Sequence, residues 1–335
     1  MGEATPPTCM HTISENQQLN SIDYTVSPVD IFVHDVHVDF KLIWKKARQY
    51  PQTTFNIGWE SVYLGQVPEN VNLFWDPEKC FIYDIYDKLN TNTFHKDVEH
   101  TVSSFNGSLH PTRTLLCLDL LKNNLWNKYC TKAFTETPSM PSLHGHLPSN
   151  YQKDIVKILG QKKIKTFLGT TNTIEYDQET RFQHDKNFIL LKPFMDKTLI
   201  NIFTPSPNGT KRDSPSVDEK QILPIATKSM WIGYACAGYH RFVEQFYGFK
   251  LFENTFDYSF DSESNFFIRL QKITSQISEI DKLSQTDKMK IHNDNLDIIE
   301  YNYEHLRSGA WISHSKQAWQ KYNLTNNSQH HIIEK

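Results

Sequence analysis

The chain has no Cys-x-x-Cys pair, no apolar run near the roughly 18 residues of a membrane span, and no strong excess of either charge. Its five cysteines, Cys9, Cys80, Cys117, Cys130 and Cys236, are odd in number and far apart. That spacing argues against a zinc or redox pair and for reduced thiols in an intracellular protein. The first 20 residues are polar and lack the apolar centre of a signal peptide, so the expected location is the cytoplasm, with no membrane span. Lys and Arg number 35 against 38 Asp and Glu, a formal charge of −3. A dedicated nucleic-acid binder carries a strong basic excess, which is missing here, although a local basic patch could still serve a polyanion. GxGxxG, GxxxxGK followed by Ser or Thr, and GxSxG are also absent, which removes the usual support for dinucleotide, P-loop and hydrolase-elbow sites.

What is present suffices for two cores. The chain has 335 residues, 38% hydrophobic and 13% aromatic, and that length exceeds one ordinary hydrophobic core. Residues 1–21, rich in Pro, Ser, Thr, Asn and Gln, predict a loose arm, with order beginning near Ile22. Ile31-Phe32-Val33 reads as a buried strand, His34-Asp35 as a polar turn, and Phe40, Leu42, Ile43 and Ala47 as the start of a helix. Val71–Trp75 and Cys80–Tyr83 read as strands flanking Asp76-Pro77. Thr112–Tyr129 carries a broad leucine-rich helical face that opens on Pro111 and Arg113.

Thr135–Ser149 predicts a long loop, Lys153–Lys165 a helix face with five lysines, and Thr166–Leu168 a short strand. Leu199–Thr204 is strongly β-prone, and Pro205–Val217 predicts a loop placed to act as a lid. Beyond Asp261 the spacing of Leu270, Ile273, Ile277, Ile280 and Leu283 predicts one helix, capped at Ser262 or Ser264. A second helix should run from about Asp287 through Leu306 and stop at Gly309. Alternating strands and helices in both halves predict an α/β fold with parallel sheets, whose ligands lie beyond the carboxyl ends of the strands. Two such units facing each other would enclose a cleft.

Asp218-Glu219-Lys220 stands before an apolar segment and opens a predicted helix. In sugar transfer from a nucleotide, negative charge grows on a departing diphosphate, and a cation at a helix start can stabilise it. Lys220 could supply that charge, while Glu219 could accept hydrogen bonds from the ribose diol. The same residues fit an ordinary helix start, with a capping carboxylate and a solvated lysine. Arg113 could reach a phosphate or the acceptor, or be a surface residue paired with Asp119 or Glu136.

The acceptor's proton needs a base, and Asp35, or else His34, follows the first strand where an acceptor loop should lie; both also suit a structural turn. His144 with His146, and His34 with His37, lack a third ligand at a recognisable spacing. Asp84–Asp87 lacks Asp-x-Asp, so no obligatory metal or cofactor is expected. Tyr239 and Trp59 are candidates to stack on a base or sugar.

The order of these features resembles a group of GT-B-like glycosyltransferases of bacteriophages and marine microbes, whose C-terminal half is similar to fucosyltransferase-type donor domains. That group has Thr-Glu-Lys at a helix start, an apolar strand with a glycine turn, then Gly-Phe-Lys-Thr-Phe and Asp-Glu-Ser-Tyr-Asp. The matching residues here are Asp218-Glu219-Lys220, Met230–Gly233, Gly248–Phe252 and Asp257–Asp261. His292-Asn293 matches its His-Asn pair, and Asn106–Arg113 its Asn-Arg and His-Arg segment. Asp218 replaces the group's Thr, Thr204-Pro205 its Thr-Glu, and Gly107 its first Arg.

The resemblance covers roughly Phe105–Gly309. It implies two Rossmann-like domains facing a cleft, with acceptor bound by residues 22–190 and nucleotide-sugar by residues 191–290, including Asp218, Glu219, Lys220, Arg113 and Tyr239. Helices over residues 291–335 would return to the first domain. The implied function is sugar transfer from a nucleotide-sugar to a hydroxyl. A hydroxymethylated base in double-stranded phage DNA, inside the host cytoplasm, is one acceptor, held by the basic faces at Lys41–Arg48 and Lys153–Lys165. A glycan or lipid-linked sugar is the other, and a non-catalytic nucleotide- or glycan-binding protein of the same fold is the competing class.

Overall fold

The computed structural model describes residues 11–13, 16–33, 39–59, 65–75, 96–106, 111–132, 191–205, 215, 217–326 and 330–332. Nine strands occur among them: β1 (His11–Ile13), β2 (Val29–Val33), β3 (Phe55–Trp59), β4 (Val71–Trp75), β5 (His100–Asn106), β6 (Cys130–Lys132), β7 (Thr198–Phe203), β8 (Met230–Gly233) and β9 (His330–Ile332). They form two sheets, ordered β1-β2-β3-β4-β9 and β6-β5-β7-β8, and every strand pair is parallel. The chain is therefore α/β with parallel sheets, as its alternating pattern predicts.

In the first sheet Val29, Ile31, Val33, Phe55, Ile57, Val71 and Leu73 bury one face. Against it packs helix α1 (Phe40–Gln49), which Asp39 opens by accepting from the Lys41 N–H at 2.9 Å. Phe40, Ile43, Trp44 and Ala47 recur at three- and four-residue spacing and form the stripe that α1 buries. On the other face Asp30, Asn56 and Asn72 stand side by side in register, joined by amide hydrogen bonds of 2.8 and 2.9 Å. Regular structure starts before Ile22, because β1 adds to the edge of β2 and residues 16–21 form a 3-10 turn.

The second sheet has its own core. All residues of β7 and β8 are buried, the signature of parallel strands covered on both faces. Around them lie helices α2 (Pro111–Lys122), α3 (Glu219–Ala226), α4 (Tyr239–Phe242, continued by a π-turn over Val243–Tyr247), α5 (Phe266–Asp281), α6 (Gln285–Asp294), α7 (Leu296–Arg307) and α8 (Ala310–Asn326).

The structure differs from the sequence reading at definite points. β5 pairs with β7, and β6 with β5, so the strands at residues 100–106 and 130–132 belong to the second sheet and not to the first. α2 stops at Lys122, short of Tyr129, and the chain turns where Asn124 takes a left-handed conformation (φ 59°). The α5 cap is Asn265, whose carbonyl oxygen accepts from the N–H groups of Phe267 and Ile268, rather than Ser262 or Ser264.

The single helix expected from Asp287 to Leu306 breaks at Asn295, whose buried amide donates to Thr255 Oγ1 and to the Ile291 carbonyl. Helices beyond residue 290 do not return to the first core: Ile299, Tyr303, Leu306, Trp311 and Trp319 all pack into the second. What returns is β9, paired with β4. The expected strands at Cys80–Tyr83 and Thr166–Leu168, the loop at Thr135–Ser149 and the helix at Lys153–Lys165 lie outside the described residues, as does nearly all of the expected lid.

Candidate functional site

Parallel α/β sheets present ligands at the carboxyl ends of their strands. At that end of the second sheet the first turns of α3 and α4 meet. Tyr239, opening α4, donates its hydroxyl to Gln221 Oε1 in the first turn of α3 at 2.6 Å, while its ring lies against Gly233 at the end of β8. A Cβ at Gly233 would stand 3.1 Å from that ring and 3.2 Å from Phe203, so a larger residue fits only if these rings shift by a few tenths of an ångström. Tyr239 is fully buried, and burial pushes its hydroxyl well above the ordinary range for tyrosine. It therefore serves as an internal strut between two helix starts, and the sequence reading that made it a stacking surface does not hold in this conformation.

α3 begins where Asp218-Glu219-Lys220 predicted. Asp218 is its cap: Oδ1 accepts from the Lys220 N–H at 3.1 Å, and the Asp218 carbonyl accepts from Gln221 and Ile222. Asp218 thus does what a threonine hydroxyl would do at this position, and adds a charge. Lys220 Nζ lies 3.4 Å from Asp218 Oδ2, with its side chain 14% exposed. It is neither in bulk solvent nor sealed in the interior. The Glu219 backbone starts the helix, and its side chain lies outside the described residues.

Two buried polar atoms at this end have no hydrogen-bond partner: Gln221 Nε2 and Thr204 Oγ1, the latter directly after β7. A buried polar group left unpaired costs about 1–3 kcal/mol. Arg113 is 4% exposed, so it is not a surface residue, and Asp119 Oδ2 accepts from Thr274 and Asn123. His34, Asp35, His37, Asp84–Asp87, Glu136, His144 and His146 lie outside the described residues, and so does the side chain of Trp59. β2 ends at Val33, so Asp35 follows the carboxyl end of a parallel strand in the first sheet.

One pair was not foreseen. His240 Nδ1 lies 2.8 Å from Asp261 Oδ1, both buried, in the arrangement of a catalytic dyad. The other ring nitrogen decides otherwise. Nε2 accepts the Gly233 N–H at 3.1 Å, so Nδ1 carries the proton and no lone pair remains for a substrate. Asp261 also accepts from the backbone N–H groups of His240 and Arg241. Burial alone would raise its pKa, but these hydrogen bonds together hold the carboxyl below its usual range. The dyad locks the start of α4 to the end of β8.

Next to this lock a cavity of about 840 Å³ opens, lined among others by Gly238, Arg241, Glu253, Asp257, Ser262 and Ser264. Gly238 has φ +82°, which favours glycine, and a side chain built there would point into open space. Arg241 is paired with Glu244 at 2.8 Å and with Glu253 at 2.9 Å.

The amino end of the sheet is closed differently. Lys96 is half-buried, and its ammonium donates to the Met195 carbonyl at 2.7 Å and to Ser229 Oγ at 2.9 Å, tying together the approaches to β7 and β8. Burial pulls its pKa down to about 7. His292, from the matched His-Asn pair, is buried near this lysine, and burial first, then the charge on Lys96, lower its pKa to about 4. It stands at the opposite end of the sheet from Lys220.

No cluster of three metal-ligating side chains occurs among the described residues, and no helix among them is long and apolar enough to cross a membrane. Comparison with protein families, curated proteins and solved structures finds no match for the chain.

Proposed function

We propose that the chain is a glycosyltransferase that moves a sugar from a nucleotide-sugar to a hydroxyl acceptor, with its two parallel-sheet units arranged as in GT-B enzymes. One observation carries this reading: a capped helix start with a largely sheltered lysine, Lys220, at the carboxyl end of a parallel sheet, beside the Gln221 amide nitrogen that lacks a hydrogen-bond partner. In this reading Lys220 and the α3 amides stabilise the departing diphosphate, Glu219 binds the ribose hydroxyls, and Arg113 reaches a phosphate or the acceptor. Asp35, or else His34, takes the acceptor's proton. No obligatory metal or cofactor enters this scheme.

Calorimetric titration with UDP, GDP, CDP and ADP tests it. At least one should bind, and Lys220→Ala should weaken that binding about tenfold, as expected for loss of one charge-assisted contact. No binding to any of the four, together with an unchanged profile in the variant, would overturn the enzyme reading in favour of a scaffold without a donor site.

A DNA acceptor has one observation in its favour. Lys41, Lys45 and Arg48 are exposed at four- and three-residue spacing along the outer face of α1, a stripe suited to phosphates. Binding to duplex DNA through it should fall steeply with added salt.

A further inference from the structure

The cavity beside α4 differs in kind from the α3 start. A helix N-terminus ordinarily offers unpaired N–H groups to an anion. At α4 they are taken: Gly238 donates to the Asp261 carbonyl at 2.7 Å, Tyr239 to the Cys236 carbonyl, and His240 and Arg241 to the Asp261 carboxylate. An internal carboxylate fills the place a phosphate would occupy. Among the described residues the one cation on the cavity wall, Arg241, is matched by Glu244 and Glu253. Glu253, Asp257 and Asp261 then leave the wall net negative. A diphosphate or a nucleic-acid backbone would be repelled from it.

The groups that remain accept and share hydrogen bonds. Glu253 and Asp257 are exposed carboxylates, Ser259, Ser262 and Ser264 add exposed hydroxyls, and buried Phe256 and Tyr258 close the base. Carboxylates and hydroxyls beside a rigid apolar wall recognise vicinal hydroxyl groups, whose O–H donors match the acceptors presented. We infer that this cavity binds an uncharged, polyhydroxylated glycosyl unit and so forms an acceptor subsite in the second-sheet unit, outside residues 22–190, where the resemblance puts the acceptor. This identification of the acceptor rests on the glycosyltransferase reading; the binding of a neutral sugar does not. The strut from Tyr239 to Gln221 joins the cavity's helix to the helix that carries Lys220, so the two sites are fixed relative to each other.

Saturation-transfer NMR of the full chain tests the inference, with maltotriose, cellotriose, mannotriose and N-acetyllactosamine as neutral probes and a 20-base-pair duplex as the polyanionic one. At least one neutral sugar should give signal. Ser262→Trp, which fills the cavity from an exposed position, should weaken that binding at least tenfold, and Asp257→Asn should weaken it several-fold. Nucleoside diphosphate binding, measured by calorimetry on the same variants, should stay within a factor of two. Sugar binding that survives Ser262→Trp, or no neutral sugar bound while the duplex binds, would overturn the inference. Sugar binding lost in Ser262→Trp, with no nucleotide bound by the parent, would uphold the cavity and remove the transferase reading.

Discussion

Asp218 stands where the resembling glycosyltransferases carry threonine, and its carboxylate lies 3.4 Å from the ammonium that the proposed mechanism aims at a diphosphate. The substitution Asp218→Thr separates the capping role from the electrostatic one. Thr caps helices nearly as well as Asp, so α3 should lose only a few tenths of a kcal/mol. The carboxylate, in contrast, stands close to any anion that Lys220 contacts. For unit charges about 6 Å apart at an effective dielectric near 20, the repulsion is about 3 kcal/mol, and solvent screening plus side-chain relaxation reduce the measurable part to about 1 kcal/mol. Nucleoside diphosphate affinity should therefore rise about fivefold in Asp218→Thr, measured by calorimetry at low ionic strength, and the gain should shrink at high salt. Unchanged or weaker binding, in a variant whose melting temperature is preserved, would refute the placement of the diphosphate at this helix start.

Two further outcomes concern stability. Gly248 ends the π-turn at φ +76°, and an added Cβ would lie 2.8 Å both from the His314 ring and from His305 Nε2, which is itself engaged with the Tyr247 carbonyl. Gly248→Ala should destabilise by about 2–3 kcal/mol, seen as a melting temperature about 5–10 °C lower; a loss under 2 °C would show that the two histidines yield freely. Lys96 has a folded pKa of about 7 against an ordinary 10.5, so between these values the unfolded chain holds a proton that the folded chain releases. Stability should rise with pH over that window by at most about 1.4 kcal/mol per unit, and the rise should vanish in Lys96→Met. Urea denaturation at pH 7, 8 and 9 measures it, and equal slopes in parent and variant would refute the assignment.

Much of the architecture could be read from residue patterns, because burial on both faces of a parallel strand leaves a continuous apolar run. Ile31–Val33, Leu199–Phe203 and Met230–Ile232 announced three strands this way, while the apolar spacing from Phe40 and the Asp218-Glu219-Lys220 step announced two helix starts. Sheet membership was not legible. Whether β5 pairs forward with β7 or back with the first sheet depends on contacts about 100 residues apart, on which local spacing is silent. The break at Asn295 was equally hidden, since the polar bond from its amide to Thr255 comes from a distant turn. At the site, Asp218-Glu219-Lys220 gave the helix start, but nothing in the sequence distinguished Tyr239 as a strut from Tyr239 as a stacking ring. His240 and Asp261 are 21 residues apart, and only the fold brings them within 2.8 Å.

The two helix starts at the carboxyl end of the second sheet bear on why a scaffold explanation is the weaker one. A protein kept only for stability gains from satisfying buried polar groups, and at α4 the chain does so thoroughly: four successive N–H groups, a histidine and a carboxylate close on one another with no donor left over. Immediately adjacent, across the 2.6 Å bond from Tyr239, the Gln221 amide nitrogen and the Thr204 hydroxyl remain buried without a hydrogen-bond partner among the described residues, at a cost of about 1–3 kcal/mol each. Stability left unclaimed beside a fully satisfied network is the pattern expected where a bound group completes the hydrogen bonding. In the proposed reading, a deficit at the opening of α3 and not of α4 favours Lys220 for the charged part of a donor and the acidic cavity for an uncharged partner.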